Sequence, residues 1–193
     1  MVSRDEPAVR AHRARVLAVR YPHSAQALEF YARLCEFSGD GDALRELVMV
    51  HGPRILRDAA EERTEPALTF FFRALQRRNP APCDGHAPLA GVLRPEGNGT
   101  AFHLLCDVCL FEWRHPRSEC PYCGKKELAY FSSEAYAHIR TQVCEGCRHY
   151  LHVIDLARDP EAVPDVDEIA ALPLDMWAIE RGYEKIHPNL IGI

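Results

Sequence analysis

Three Cys-x-x-Cys pairs lie between residues 106 and 147, and they constrain the fold more than any other feature of this chain. We call them knuckle A (Cys106/Cys109), knuckle B (Cys120/Cys123) and knuckle C (Cys144/Cys147). Two thiols separated by two residues can bind one ion from a tight turn, and two such turns complete a tetrahedral site. The pattern therefore predicts small β modules that metal ions hold together.

An internal repeat indicates which knuckles share an ion. The segment CPYCGKKELAYF at 120–131 resembles APCDGHAPLAGV at 81–92 with an offset of 39, and knuckle C matches knuckle A with an offset of 38. The repeat pairs knuckle B with knuckle C across 20 intervening residues, a spacing usual for zinc sites. The alternative pairs knuckle A with knuckle B across 10 residues but leaves knuckle C without a partner, so we favour the repeat.

The first copy of the repeat has lost its own knuckle. The offset predicts ligands at positions 81 and 84, which are Ala81 and Asp84, while Cys83 lies one residue out of register and His86 follows it by three. Three interpretations of knuckle A stay open. It binds an ion with Cys83 and His86, it binds an ion with Cys83 and Asp84, or its site is empty or labile.

The first 80 residues have helical periodicity. Ser24 is a candidate N-cap for a helix with Cys35 on its apolar face, where we expect a core thiol rather than a ligand. Asp42 is the candidate N-cap of the next helix, and Gly52-Pro53 should interrupt it. The spacing of apolar residues predicts a further helix over residues 64–78.

The rest of the chain predicts short strands followed by a helix. The segments AFHLL, ELAYF and HYLHVID have the composition of strands, and a final helix should start near Asp167, kink or restart at Pro173 and end at Gly182. The predicted fold class is α+β. We expect a helical domain at 1–80, β modules at 81–118 and 119–160, and a C-terminal helix and tail at 161–193.

Charge and hydropathy exclude several classes of function. Residues 1–80 carry 13 basic and 11 acidic side chains, whereas residues 81–193 carry 10 and 17, which gives +2 and −7 and a net −5. The acidic cysteine-rich half argues against nucleic-acid binding. No apolar run of about 18 residues predicts a membrane span, and the charged N-terminus predicts a cytoplasmic protein.

The motifs do not predict an enzyme. A site closed by four thiolates leaves no coordination position for a substrate, and the chain contains no phosphate-binding glycine loop or serine nucleophile elbow. Five histidines lie among the knuckles, and we expect each to be satisfied by surface or sheet contacts rather than to bind metal: His103, His115, His138, His149 and His152.

Three longer segments extend these motifs: LLCDVCLFEWRHPRSECPYCG at 104–124, CEGCRHYLHVIDLARDP at 144–160 and DVDEIAALPLDMWAIERGYEKIHPNL at 165–190. In these segments the sequence resembles the FdhE family of formate dehydrogenase accessory proteins. The resemblance covers roughly residues 81–193. Two departures from the family pattern are APCDG at 81–85, where Cys-Pro-x-Cys-Gly is expected, and a shorter N-terminal part.

This resemblance implies a fold and a function. It implies an N-terminal helical domain, two tandem rubredoxin-like (zinc-ribbon-like) modules, and one or two iron or zinc ions bound by Cys106, Cys109, Cys120, Cys123, Cys144 and Cys147. It also implies a cytoplasmic maturation factor that binds the catalytic subunit of a formate dehydrogenase or related molybdoenzyme, with a homodimer as a candidate assembly. The competing hypotheses are a rubredoxin-like electron carrier and a zinc-ribbon binding module.

Overall fold

Helices form the N-terminal part of the protein. The structure is a computed structural model that describes residues 6–62, 88–189 and 192. Its first four helices are α1 (Pro7–Arg20), α2 (Ala25–Glu36), α3 (Gly41–His51) and α4 (Arg54–Glu62), with a 3-10 turn at Pro22–Ser24 between the first two. The helix predicted over residues 64–78 lies outside the described residues.

Small and apolar side chains hold α1 against α2. Ala11, Ala14 and Leu17 recur at three-residue spacing on α1 and are fully buried. They pack in one cluster with Leu28 and Tyr31 of α2, because alanines allow two helix backbones to approach closely. Cys35 lies in the same cluster, and burial raises the pKa of its thiol to about 12. The prediction of a core thiol is confirmed.

The helix starts differ from two predictions. The N-cap of α3 is Asp40, whose side chain accepts a hydrogen bond from the Ala43 N–H, so the prediction of Asp42 was wrong by two residues. Ser24 does precede α2, but its hydroxyl donates to the Ala170 carbonyl instead of capping the helix. The predicted break at Gly52-Pro53 is confirmed between α3 and α4.

A mixed sheet forms the second part of the protein. Its strands are β1 (Pro88–Glu96), β2 (Gly99–Cys106), β3 (Glu112–Arg114), β4 (Leu128–Ser132), β5 (Ile139–Cys144), β6 (His149–Asp155) and β7 (Glu184–Lys185). Within the described residues the order is β3-β2-β1-β6-β5-β4, and β7 also pairs with β6. The strands predicted from AFHLL, ELAYF and HYLHVID are confirmed as parts of β2, β4 and β6.

The sequence repeat is visible in the sheet. Strands β1–β3 and β4–β6 are two antiparallel units, and β2 and β5 end at Cys106 and Cys144, 38 residues apart. The units join where β1 pairs in parallel with β6, so that Gly91 lies opposite Val153. One sheet therefore crosses the predicted boundary between modules 81–118 and 119–160.

Two C-terminal helices cover one face of this sheet. They are α5 (Pro164–Ala170) and α6 (Leu172–Glu180), so the chain becomes helical three residues before the predicted Asp167 and restarts beside Pro173, as predicted. Gly182 has φ +75° and its N–H bonds to the Ile179 carbonyl, which confirms the predicted helix end.

Helix α5 lies between the N-terminal helices and the sheet. Every residue from Pro164 to Ala170 is buried, and Val166 and Ile169 belong to the same apolar cluster as α1 and α2. The α+β fold class is confirmed, while the three predicted domain boundaries stay predictions. None of the helices in the described ranges is both long and apolar enough to cross a membrane.

Candidate metal centre

The thiols of knuckles B and C converge on one point. Knuckle B lies in the loop before β4, while Cys144 ends β5 and Cys147 lies in the turn to β6. The four sulfur atoms lie within 4.8 Å of one another. The Sγ atoms of Cys120 and Cys147 are 3.8 Å apart, and those of Cys123 and Cys144 are 3.7 Å apart.

These distances fit four sulfur ligands arranged in a tetrahedron around one ion, and they are too long for disulfide bonds. Four sulfurs at about 2.3 Å from a central ion are separated by roughly 3.8 Å along each tetrahedron edge. A disulfide would bring two sulfurs to about 2.05 Å. The four cysteines are free thiols. Their donor set suits zinc or a single iron equally well.

Each described knuckle turns its chain in the same way. The residue after the second cysteine has a left-handed backbone, with φ 73° at Gly124, 61° at Arg148 and 58° at Leu110. This turn lets the Gly124 N–H bond to the Cys120 carbonyl and the Arg148 N–H to the Cys144 carbonyl. Residues other than glycine disfavour this conformation by about 1 kcal/mol or more, so the turns at Arg148 and Leu110 hold their shape against a local cost that Gly124 avoids.

Backbone N–H groups point at the sulfurs. Burial raises the pKa of Cys120 and of Cys147, although N–H donors, including that of Tyr122 at Cys120, act against this rise. The N–H of Lys125 lowers the pKa of the exposed Cys123. Such bonds favour the thiolate, which is the form that binds a metal ion.

The centre has a buried side and an outer side. Cys120 and Cys144 are buried, whereas Cys147 is half-buried and Cys123 is exposed. Beside the outer sulfurs, the ring of Tyr122 stacks on the imidazole of His149 at a centroid distance of 3.7 Å. A bound ion would therefore lie close to the protein surface.

A C-terminal strap, residues 183–189, is fastened to knuckle C. Its strand β7 pairs in parallel with the first residues of β6, and the guanidinium of Arg148 stacks on the ring of Tyr183 at 3.8 Å. The Tyr183 hydroxyl donates to Glu145, inside the knuckle. Farther along the strap, His187 Nε2 lies 2.6 Å from Asp107 Oδ2 in knuckle A. The strap thus contacts knuckle C, which follows β5, and knuckle A, which follows β2.

Knuckle A itself lies within the described residues, but its predicted partner ligands do not. Cys106 and Cys109 are buried, and the Val108 N–H bonds to the Cys106 sulfur at 3.4 Å. The predicted partners Cys83, Asp84 and His86 lie outside the described residues. All three interpretations of this first site therefore stay predictions.

Sequence reasoning missed two buried clusters of charge. In one, Asp167 lies 2.7 Å from His138 and 2.6 Å from Arg13, which also reaches Asp159 at 2.7 Å. This cluster ties α1 to α5 and to the loop before it. Because arginine supplies the positive charge, we interpret it as an ion-pair network rather than a metal site.

The second cluster lies between α5, α6 and the strap. Asp175 Oδ1 lies 2.7 Å from His152 Nε2 and 2.8 Å from Lys185 Nζ, and Lys185 also contacts Glu168. The Tyr150 hydroxyl donates to the same Asp175 oxygen. Here the lysine ammonium occupies the position of a cation. The signal in the sequence was the acidic run DVDE in a segment otherwise rich in apolar residues.

These two clusters refine the expectation for the histidines. His138 and His152 are satisfied, as predicted, but by buried carboxylates rather than by surface or sheet contacts alone. His149 is satisfied by the Cys147 carbonyl at 2.9 Å and by the Tyr122 ring.

Comparison with known proteins agrees with this geometry. Residues 119–191, which contain knuckles B and C, α5, α6 and the whole strap, match the family model described as FdhE, C-terminal domain. This part of the chain is similar to the FdhE C-terminal domain. The resemblance predicted from the sequence is confirmed.

FdhE relatives also match beyond this domain. The protein named Protein FdhE homolog from Aquifex aeolicus is 38% identical over 119 residues, which cover 60% of this chain and 42% of that protein. The homologue from Pseudomonas aeruginosa is 36% identical over 124 residues, covering 60% and 40%. The match spans about two fifths of the length of these curated relatives.

The fold agrees with that of a solved structure. The crystal structure of the FdhE protein from Pseudomonas aeruginosa matches with a TM-score of 0.68 and 22% identity, covering 99% of this chain and 96% of that chain. At this identity the likeness establishes the fold, including the helices that precede the part similar to the FdhE C-terminal domain.

Proposed function

We propose that this protein is a cytoplasmic accessory factor that binds the catalytic subunit of a formate dehydrogenase, or of a related molybdoenzyme, and aids its assembly. The observation that carries the proposal is the convergence of four thiols inside the part of the chain that is similar to the FdhE C-terminal domain. The proposed role is one of binding rather than catalysis. A closed set of four sulfur ligands, which leaves no position for substrate, supports this reading.

In this proposal Cys120, Cys123, Cys144 and Cys147 hold one iron or zinc ion. The ion would join the loop before β4 to the end of β5 and to the turn that follows it. Such a structural site contributes roughly 10 kcal/mol or more of folding free energy in small metal-bound domains. A second ion at knuckle A, with Cys106, Cys109, Cys83 and His86, is part of the same proposal.

The ion would support client binding indirectly. Knuckle C holds the strap through Glu145 and Arg148, and the strap in turn holds Lys185 between buried carboxylates of α5 and α6. Removal of the ion should therefore loosen the C-terminal surface as a unit. We expect the catalytic subunit to recognise only the ordered, metal-bound form.

A pull-down from the native host tests the proposal. Cells grown with formate and little oxygen would express the tagged protein, its Cys120→Ala variant, and a Cys35→Ala control that removes a buried thiol outside the knuckles. We expect the catalytic subunit to co-purify with the wild type and the control but not with Cys120→Ala. Metal analysis of the same samples should find iron or zinc lost only from Cys120→Ala.

A second candidate function is electron transfer by a rubredoxin-like iron site. The exposed position of Cys123 and the half-buried position of Cys147 favour it, because a surface site can exchange electrons with a partner. A reversible visible spectrum together with turnover by a reductase would support this candidate. Normal formate dehydrogenase activity in a host that produces only the Cys120→Ala variant would reject the metal-dependent accessory role.

A further inference from the structure

A small pocket lies on the face of the sheet opposite α5 and α6. Side chains alternate along a strand, so Arg140 and Val153 point away from Thr141 and His152, which face the helices. The pocket has a volume of about 80 Å³. We call it the arginine pocket, and it is lined by Leu93, Phe102, Arg117, Tyr130, Arg140 and Val153.

The pocket combines an apolar floor with a positive rim. Leu93, Phe102 and Val153 are buried and form the floor. Arg117 Nη2 donates to the Thr100 carbonyl and hydroxyl at 2.9 and 2.7 Å, which fixes this guanidinium at the start of β2. A guanidinium carries five N–H donors, more than these bonds use, so donors remain for a ligand.

Positive charge exceeds negative charge at this rim. Asp155 accepts from Arg140 at 3.2 Å, and it is also paired with Arg158 at 3.7 Å. The lining of the pocket thus contains two guanidinium groups and no carboxylate, and the Asp155 carboxylate beside Arg140 is shared with Arg158, although the chain as a whole has a net charge of −5. The local excess favours an anion in the pocket.

The pocket also borders an edge of the sheet. Tyr130 lies on β4, which is the last strand of the described sheet on that side, and its hydroxyl donates to the Arg117 carbonyl at 3.2 Å. Tyr130 and Phe131 are 44% and 38% exposed. Exposed edge strands are places where an extended segment of another protein can pair, with specificity from pockets beside the strand.

We propose that the arginine pocket binds an aspartate or glutamate side chain carried by an extended segment of the client polypeptide, which lies alongside β4. The volume accommodates a carboxylate with its methylene group, since one water needs only about 10–15 Å³ of such space. The floor would cover the methylene, and Arg117 and Arg140 would donate to the carboxylate. This inference rests on the proposed function, because the client is the catalytic subunit.

Peptide binding tests the inference without the intact client. Overlapping fluorescein-labelled 15-residue peptides that cover the catalytic subunit of the same organism would be titrated with the metal-loaded protein by fluorescence polarisation. We expect at least one acidic peptide to bind. Replacement of its key Asp or Glu by Asn or Gln should abolish this binding. Arg117→Ala and Arg140→Ala should each weaken binding about fivefold or more.

Matched variants separate the pocket from general charge effects. Arg114→Ala removes the same charge from an exposed arginine of β3 that pairs with Glu96, and it should leave peptide affinity unchanged. Arg117→Lys keeps the charge but loses the planar pair of donors, so its affinity should be intermediate. The thermal unfolding midpoint of every variant shows that it is folded.

Three results would overturn the inference. One is that no peptide binds, or that binding is equal in wild type, Arg117→Ala and Arg140→Ala. Another is that Arg114→Ala weakens binding as much as the pocket variants do. The third is that Asn or Gln in place of the key Asp or Glu of the peptide leaves its affinity unchanged, which would show that the pocket does not recognise a carboxylate. Co-purification of the intact catalytic subunit is measured separately, so the proposed function can stand while the pocket fails.

Discussion

Replacement of Lys185 by methionine should be among the most destabilising single changes in this protein. The Lys185 ammonium contacts Glu168 and lies 2.8 Å from Asp175, and the side chains of the three residues are 5%, 0% and 0% exposed. Methionine keeps much of the apolar volume of the lysine stem but removes the charge. Two buried carboxylates then lose the ammonium group that they share.

The magnitude follows from the burial of all three groups. Removal of one partner of a buried ion pair costs roughly 3–5 kcal/mol, because the remaining charge cannot be solvated. One oxygen of each carboxylate, Glu168 Oε2 and Asp175 Oδ2, has no hydrogen-bond donor among the described residues, which places the expected cost toward the upper end of this range. Such a loss is a large fraction of the 5–15 kcal/mol that typically stabilises a domain.

Urea unfolding of the metal-loaded protein at pH 7, followed by circular dichroism, measures this cost. The matched control is Lys126→Met, which removes an exposed lysine beside knuckle B and should change the free energy of unfolding by less than about 0.5 kcal/mol. Glu168→Gln added to Lys185→Met should recover part of the loss, because one uncompensated charge disappears. A loss below about 1 kcal/mol for Lys185→Met alone would refute the reasoning.

The contact between Lys185 and Asp175 also predicts how the difference in unfolding free energy between wild type and Lys185→Met varies with pH. Burial acts to raise the pKa of Asp175, but His152 and Lys185 outweigh it and hold that pKa below its usual range. The stabilisation by Asp175 is thus present above about pH 4 and is lost as the pH falls through its lowered pKa. The pKa of Lys185 is raised by the two carboxylates despite burial, so its contribution is lost only above about pH 10. A difference between wild type and Lys185→Met that vanished between pH 6 and 8 would contradict this account.

Three further changes test other parts of the structure. Gly124→Ala should cost about 1 kcal/mol, because φ is 73° there, whereas Gly41→Ala, with no atom within 4 Å of the new Cβ, should be neutral in the same unfolding assay. Arg13→Met should lower the free energy of unfolding by about 2–3 kcal/mol and increase amide hydrogen exchange along α1, because the bonds of Arg13 to Asp159 and Asp167 hold that helix to α5 and the loop before it. Unchanged hydrogen exchange along α1 would reject this role. Dialysis against a strong chelator should release one or two ions and lower the thermal midpoint of the wild type by more than that of Cys120→Ala, and equal wild-type midpoints before and after dialysis would argue against a structural ion.

Local features of the sequence predicted the elements that depend on a few neighbouring residues. The break at Gly52-Pro53 and the restart beside Pro173 follow from the missing N–H and fixed φ of proline. The candidate metal centre was also predictable, because the offset between repeats identified which knuckles belong together. The choice between Asp40 and Asp42 as the N-cap of α3 was not predictable from the sequence. Both residues suit that position, and the outcome depends on where the preceding loop enters the helix.

Contacts between distant segments could not be predicted in this way. Arg13 meets Asp167 across 154 residues, and Lys185 meets acids of two helices only because β7 runs beside β6. In the sequence these are ordinary charged residues, of a kind that usually lies at the surface. The parallel pairing of β1 with β6, which brings the floor and rim of the arginine pocket together, likewise has no local signature.

The sequence by itself determined the chemistry of the knuckles, because two thiols, a turn and the residue that reverses the chain are encoded within five consecutive positions. Only the tertiary structure decided which charges are buried and which partners neutralise them. Desolvation of a carboxylate depends on everything packed around it, and that packing is a property of the whole fold.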